Sequence, residues 1–293
     1  MKKLILIDGN ALAHRVFHAL PPLTTKKGQL VNAIYGFFSV FLKVVRELNP
    51  DYVVAVFDLP SPTFRDIEYK DYKAKRTKAP KEIYEQISKI KEILKVFPVS
   101  IYEKEGFEAD DVIGTIVEKV NSLVNKKNKE KIKSIIVTGD LDTLQLVNEN
   151  TEVYTLKKGV TQSIIYDKKA IEERYGLLPE QIVDFKALKG DQSDNIPGIP
   201  GIGEKTAIYL LKRFKSLENI YKDINKIEDQ KLKAKLKEYK DQAFFSQYLA
   251  TIRKDVPIDF DLKQCKFGFY NKEKIKEIFE NLEFYTLIKR LPQ

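Results

Sequence analysis

An α/β fold, with a mostly parallel twisted sheet flanked by helices and a helical C-terminal region, is what three features of this sequence predict. Short apolar runs alternate with amphipathic stretches through the first 180 residues, the strand signal stops near Gln181, and 43% hydrophobic content suffices for a sizeable core. Strands alternating with helices of about 10–15 residues imply right-handed βαβ units and parallel pairing.

Leu4–Ile7 reads as a strand ending at Asp8, and Val31–Arg46 as a helix with apolar residues at Val31, Ile34, Tyr35, Phe38 and Phe41. Val53–Phe57 is a second strand, running into Asp58. Ile83–Val96 has helical spacing through Ile83, Ile87, Ile90 and Leu94, and Val99–Tyr102 follows Pro98 as a short strand. Ala109, Val112, Ile113, Ile116, Val117 and Val120 mark one face of an amphipathic helix. Ile135–Thr138 is the next strand, followed at once by Gly139 and Asp140. Beyond Gln181, Ile182–Lys189, Glu204–Phe214, Lys231–Tyr239, Gln242–Ile252 and Lys272–Leu282 all read as helices. The expected division is a catalytic α/β domain over 1–180 and a helical domain over 181–293. Lys126–Lys133 reads as a solvated, lysine-rich connector.

Composition narrows the function. Among 293 residues there are one cysteine and two histidines, which excludes a disulfide framework, a CxxC redox pair and an ordinary Cys/His zinc site. Asp8 interrupts the first apolar run after four residues, so no signal peptide is expected. The longest charge-free stretch, Gly28–Leu42, is 15 residues and carries Gln, Asn and Ser, short of the ~20 apolar residues of a membrane span. A soluble, cytoplasmic protein is expected.

Ligand sites of parallel α/β sheets lie beyond the carboxyl ends of the strands. Three strands deliver Asp8, Asp58 and Asp140 there, and Asp142 follows in TGDLD. FEADD adds Glu108, Asp110 and Asp111, and GDQSD adds Asp191 and Asp194, giving nine carboxylates. A single Asp after a strand is usually a helix cap; several independent segments doing the same point instead to a shared site. Clustered carboxylates raise one another's pKa unless cations lie among them, and hard oxygen ligands select Mg²⁺ or Mn²⁺. At 100° per residue Glu108 and Asp111 share a helix face while Asp110 lies on the far flank. All three reach one cluster only if the helix starts near Asp110.

Setting those nine aside from the 42 acids leaves 33 against 51 basic residues. The rest of the surface is therefore strongly positive, which suits a polyphosphate backbone. Ser61–Lys81 carries Arg65, Lys70, Lys73, Lys75, Arg76, Lys78 and Lys81, interleaved with Phe64, Tyr69 and Tyr72. Cations for phosphates and rings for bases make a single-strand surface. Gly198-Ile199-Pro200-Gly201-Ile202-Gly203, followed by Glu204-Lys205-Thr206-Ala207, has the pattern of a helix-hairpin-helix over 182–214. Its exposed backbone N–H groups suit phosphate without reading sequence.

FDLPSPTFR at Phe57–Arg65, YKAKR at Tyr72–Arg76, FEADDVIG at Phe107–Gly114, TGDLDTLQL at Thr138–Leu146 and LKGDQSDNIPGIPGIGEKTA at Leu188–Ala207 occur in a recognisable order. Together they resemble the 5′-nuclease domain of bacterial DNA polymerase I, within the flap endonuclease superfamily. The resemblance runs from Leu4 to about Leu291 and implies a PIN-like sheet with a helical arch around 61–81. It implies 5′–3′ exonuclease and 5′-flap endonuclease activity near single-strand/duplex junctions, in Okazaki-fragment processing and repair. All nine carboxylates match active-site acids of the family, placing Asp110 in the metal site. Two Mg²⁺ ions are implied, with Mn²⁺ able to substitute, and a K⁺ ion at the hairpin. Asp58, Asp142, Lys73 and Arg76 are implied to be catalytic. Arg65, Tyr72, Lys73, Arg76, Gly198, Gly201, Gly203, Lys205 and Thr206 are implied to contact DNA. The implied partners are DNA with 5′ flaps or 5′ ends, RNA-primed ends included, and a separate DNA polymerase; the implied state is a monomer. Two departures stand out: His14 where the family has Tyr, and Leu141 where Lys is frequent.

Three other readings compete, one of them a regulatory module of a replication complex, which would be a role additional to the nuclease. A PIN-type ribonuclease would use fewer acids and lack the hairpin. A branched-DNA binder without activity would gain nothing from nine mutually repelling carboxylates.

Overall fold

The apolar run near the N-terminus, Lys2–Asp8 (β1), lies at the centre of the sheet in a computed structural model describing residues 1–77, 79–124, 131–159 and 162–292. Asp8 ends the strand and caps the helix Gly9–Ala19 (α1) by accepting from Ala11 N. Asn32–Leu48 (α2) then leads into Tyr52–Val56 (β2). Phe64–Glu68 (α3), Lys81–Leu94 (α4) and Ser100–Tyr102 (β3) follow, then Ala109–Val124 (α5) and Ile132–Thr138 (β4). Thr151–Lys158 (β5) and Gln162–Tyr166 (β6) complete the sheet.

The order is β3-β2-β1-β4-β5-β6, and every pairing is parallel except β5 with β6. Alternate residues of β1 face opposite sides. Ile5 and Ile7 pack with α1, α2 and α4, while Leu4 and Leu6 pack with Val112, Ile113 and Ile116 of α5.

The helical region contains Lys168–Tyr175 (α6), Ile182–Lys189 (α7), Glu204–Phe214 (α8), Leu217–Lys222 (α9), Gln230–Glu238 (α10) and Lys240–Ala250 (α11). Leu188, Leu210, Leu211, Leu217, Leu236 and Ala243 give it a core of its own. The last stretch, including Lys272–Asn281 (α12) and Tyr285–Ile288 (α13), behaves differently. Ile252, Val256 and Cys265 sit in the core under α5, Phe279, Phe284 and Leu287 in the core under α2, and Lys266 bridges to Tyr52. A helical domain running through to 293 is thus too long, because the apolar faces of α12 and α13 are buried against the sheet lobe.

Two further features differ from expectation. The β5–β6 hairpin was not foreseen: polar residues interrupt its apolar ones, and β6 forms one edge of the sheet. Among the described residues between 61 and 80 only Phe64–Glu68 is helical, and residues 70–76 run as turns packed onto the carboxylates. Lys78 and residues 126–130 of the lysine-rich connector lie outside the described residues.

Candidate active site

Because β1, β2 and β4 run parallel, their carboxyl ends meet at one edge, and Asp8, Asp58 and Asp140 arrive there together. Asp8 is buried and accepts from Ala11 N at 2.9 Å and from Thr138 Oγ1 at 2.7 Å. Asp58 accepts from Ala109 N at 2.7 Å and so caps α5. Asp140 accepts from Asp142 N at 3.0 Å.

The helix α5 begins at Ala109, with Glu108 in the approach. Asp110 and Glu108, with Asp140, Asp142 and Asp194, line an open cleft of about 320 Å³. Asp110 Oδ1 is buried and has no hydrogen-bond donor among the described residues. Burial, then the charges of Asp8, Asp140, Asp142 and Glu108, push the Asp110 carboxyl well above the usual range. Burial and Asp58 likewise raise Asp8 to about 7. Burial raises Asp142 to about 7 even though Lys186 opposes it.

Asp111 is the exception among the nine. Fully buried, it accepts from Arg65 Nη1 at 2.7 Å and Nη2 at 2.9 Å, from Glu108 N at 3.1 Å and from Arg253 N at 2.8 Å. Four donors fill its acceptor positions, so Asp111 is an anchor and does not face the cleft as a ligand. The helix does start beside Asp110, as the wheel requires for that residue to reach the cluster, and of the three acids it is Asp111 that turns behind it. Arg65 is corrected with it. Its guanidinium also donates to Leu249 O and Thr251 O at 2.8 Å each, and only 2% of the residue is exposed, so it cannot guide a strand. Tyr72 is buried too, its hydroxyl donating to Glu108 and Asp194 at 3.2 Å each.

The remaining acids meet basic side chains. Lys73, in a left-handed backbone conformation at φ 54°, pairs with Glu108, and Arg76 pairs with Asp194. Lys186 of α7 pairs with Asp142 and, at 2.6 Å, with Asp191. Burial would raise Asp191, but Lys186 and Ser193 outweigh it and hold the carboxyl at about 2. Among the described residues, no three carboxylates stand close enough to share one ion as they are. Mutual repulsion is therefore relieved partly by lysine and arginine, not by metal alone. Lys186 was missed in the sequence because nothing local marks a lysine whose partners lie 44 and 5 residues away.

The donor set nevertheless fits a hard divalent cation. It is all oxygen, it surrounds a buried carboxylate oxygen without a donor among the described residues, and burial raises the proton affinity of Asp8 and Asp110.

Loop 190–203 joins α7 to α8 as a tight hairpin. Asp191 and Ile196 exchange backbone bonds of 2.9 and 2.8 Å, and Ile199 N donates to Leu188 O at 2.8 Å. A Cβ at Gly198, where φ is 60°, would fall 2.1 Å from Gly190 N, so only glycine lets the two passes touch. Gly203 caps α8, leaving Lys205 exposed and Thr206 half-buried in its first turn. The resemblance implies a K⁺ ion at this hairpin. The Lys235 ammonium already lies against Gly201, and the Gly198 carbonyl accepts from Gln242 at 2.6 Å. Of the two departures, His14 packs edge-on to Tyr84 at 6.4 Å, and Leu141 packs against the apolar cluster under α5.

Comparison with known proteins agrees with this architecture. The family model for the 5′-3′ exonuclease, N-terminal resolvase-like domain, matches residues 3–176, and that for the 5′-3′ exonuclease, C-terminal SAM fold, matches residues 177–273. DNA polymerase I of Bacillus subtilis is 43% identical over 99% of this chain and 32% of its own length. DNA polymerase I of Caldicellulosiruptor bescii is 44% identical over 99% of the chain and 33% of its own length. The chain thus spans about a third of these relatives. In fold it is similar to T5 5′-exonuclease with bound zinc ions (TM-score 0.69, 21% identity, 85% of this chain and 89% of that one). It is also similar to the catalytic core of Rad2 in complex with DNA substrate (TM-score 0.64, 18% identity, 99% and 92%).

Proposed function

The chain belongs to the 5′–3′ exonuclease family, and on that premise we propose that it is a divalent-metal-dependent nuclease hydrolysing DNA at 5′ ends and 5′ flaps near single-strand/duplex junctions. The observation that carries this reading is the donor-free oxygen of Asp110, set among further carboxylates at the carboxyl edge of a parallel sheet. Asp8, Asp58, Asp110 and Asp140 would hold one Mg²⁺ ion, and Glu108, Asp142, Asp191 and Asp194 a second, with Mn²⁺ able to replace either. Such ions lower the pKa of a bound water and offset charge on the attacking and leaving oxygens of a phosphodiester.

The chain's own residues supply the rest. Asp8 and Asp58 are fixed by their caps to α1 and α5, so both are pre-oriented. Lys73 and Arg76, the latter with a half-exposed side chain, stand at the rim beside Glu108 and Asp194. There they can exchange a carboxylate for a phosphate and offset its charge. Arg65 and Tyr72 act by holding Asp111, Glu108 and Asp194 in place. Gly198, Gly201 and Gly203, with the Lys205 and Thr206 amides, would take duplex phosphates. Residues 1–180 would form the catalytic unit and the hairpin region from 181 the duplex-binding unit, with the tail from 252 belonging to the first.

The curated relatives are DNA polymerases I, which favours roles in replication and repair, RNA-primed ends included. A polymerase would be their counterpart, fused or separate. No helix among the described residues is long and apolar enough to cross a membrane. Incubating end-labelled 5′-flap DNA with the protein in Mg²⁺ should release the flap near its junction, and EDTA should abolish release. Intact flaps in both Mg²⁺ and Mn²⁺ would refute the proposal.

A further inference from the structure

The carboxylates of the cleft fall into two sets by what neutralises them. Glu108, Asp194, Asp142 and Asp191 each have a basic side chain in contact. Asp8, Asp58, Asp110 and Asp140 have none among the described residues, where the donors to them are backbone N–H groups and Thr138, and none reaches Asp110 Oδ1.

Of Lys73, Arg76 and Lys186, the last is the most committed. It bridges two carboxylates, Asp142 from beyond β4 and Asp191 from the loop after α7, and its side chain is only 13% exposed. A buried ammonium between two carboxylates occupies the electrostatic position that a divalent cation would take. Both cannot be held there at once, since like charges at contact distance repel strongly in a partly desolvated cleft.

We propose that Lys186 is a displaceable internal counter-ion, closing the Asp142–Asp191 half of the cluster until a second divalent cation drives it out. Loading is then ordered. The first ion enters at Asp8, Asp58, Asp110 and Asp140, where no side-chain cation must move, and the second must displace Lys186. The freed ammonium is left beside the cleft, where the phosphate of a bound strand gives it a new partner. Lys186 is on this account a positioning residue: it keeps Asp142 and Asp191 ordered while metal is absent. The inference rests on the divalent-metal reading proposed above and specifies how that site fills.

The test is a titration of the metal-free full chain with Mn²⁺ and no DNA, free ion being followed by electron paramagnetic resonance. The native chain should bind two ions in resolved steps. Lys186→Met should tighten the second step by about tenfold or more, as removal of a competing unit charge requires, with a smaller change in the first. Lys186→Arg, which keeps the charge, should retain the native spacing. Unchanged spacing in Lys186→Met, or a weakened second step, would overturn the proposal while leaving a two-ion site standing. Absence of Mn²⁺ binding in the native chain would instead sink the metal reading itself. Should Lys186→Met not fold, the ¹⁵N signal of the Lys186 ammonium in the native chain decides: it should shift with the second equivalent. A shift completed with the first, or none, overturns the proposal.

Discussion

Asp110 and Asp111 are adjacent and chemically identical, yet their surroundings give them opposite tasks. Asp110 keeps a buried oxygen free, whereas Asp111 spends its oxygens on Arg65 and two backbone N–H groups. Asp110→Asn should therefore cut flap cleavage by about a hundredfold or more while leaving flap affinity, read by fluorescence anisotropy, nearly intact. Arg65→Ala should act on stability instead. It leaves the Asp111 carboxylate buried without its partner, at a cost of about 3–5 kcal/mol in urea unfolding. Lys73→Ala, at the rim, should slow single-turnover cleavage with a much smaller change in stability. Equal effects of Arg65→Ala and Lys73→Ala on both readouts would contradict this division.

At the level of elements, α12 is helical by sequence but belongs to the sheet lobe by packing. Phe279 on it is fully buried against Phe38 and Phe284. Phe279→Ala should cost about 3–5 kcal/mol and lower the unfolding transition of the α/β lobe. A loss confined to the helices 182–250 would contradict the packing. What was legible in the sequence, and what was not, follows the range of the interaction. The first four strands and α5 could be read because apolar runs and the 3.6-residue periodicity are local, and so could the loop 190–203, because its glycines enforce their own geometry. The β5–β6 hairpin was hidden because Thr, Glu, Lys, Gln and Ser interrupt its apolar residues, so neither strand shows a continuous apolar run. The turns of 70–76 and the Lys186 bridge were hidden because they are fixed by contacts with residues far along the chain. The acids were found as a group, but which of them face the cleft depended on the inward turn of Arg65.

For the whole molecule, charge sets two expectations. With 51 basic and 42 acidic residues, and many acids confined to one cleft, DNA affinity should fall steeply with salt. A salt-independent affinity would contradict a phosphate-gripping surface. Stability of the metal-free protein should also depend on pH in a defined direction. Asp8 and Asp142 ordinarily lose their protons near 3.8 but keep them to about 7 when folded. Between those values the folded state holds more protons than the unfolded chain, so stability falls as pH rises through that window. The metal-free melting temperature should thus be higher at about pH 5.5 than at about pH 8, and Mg²⁺ should raise it most at the higher pH. Asp191, held at about 2, works in the opposite sense only in more acidic solution. The most direct measurement is anomalous diffraction from crystals of the protein soaked in Mn²⁺. An anomalous peak in contact with Asp110 Oδ1 and bridged to Asp8 or Asp140 is the predicted result. Crystals that take up no Mn²⁺ there, with Asp110 still lacking any partner, would contradict the assignment of this cleft as the centre of the chemistry.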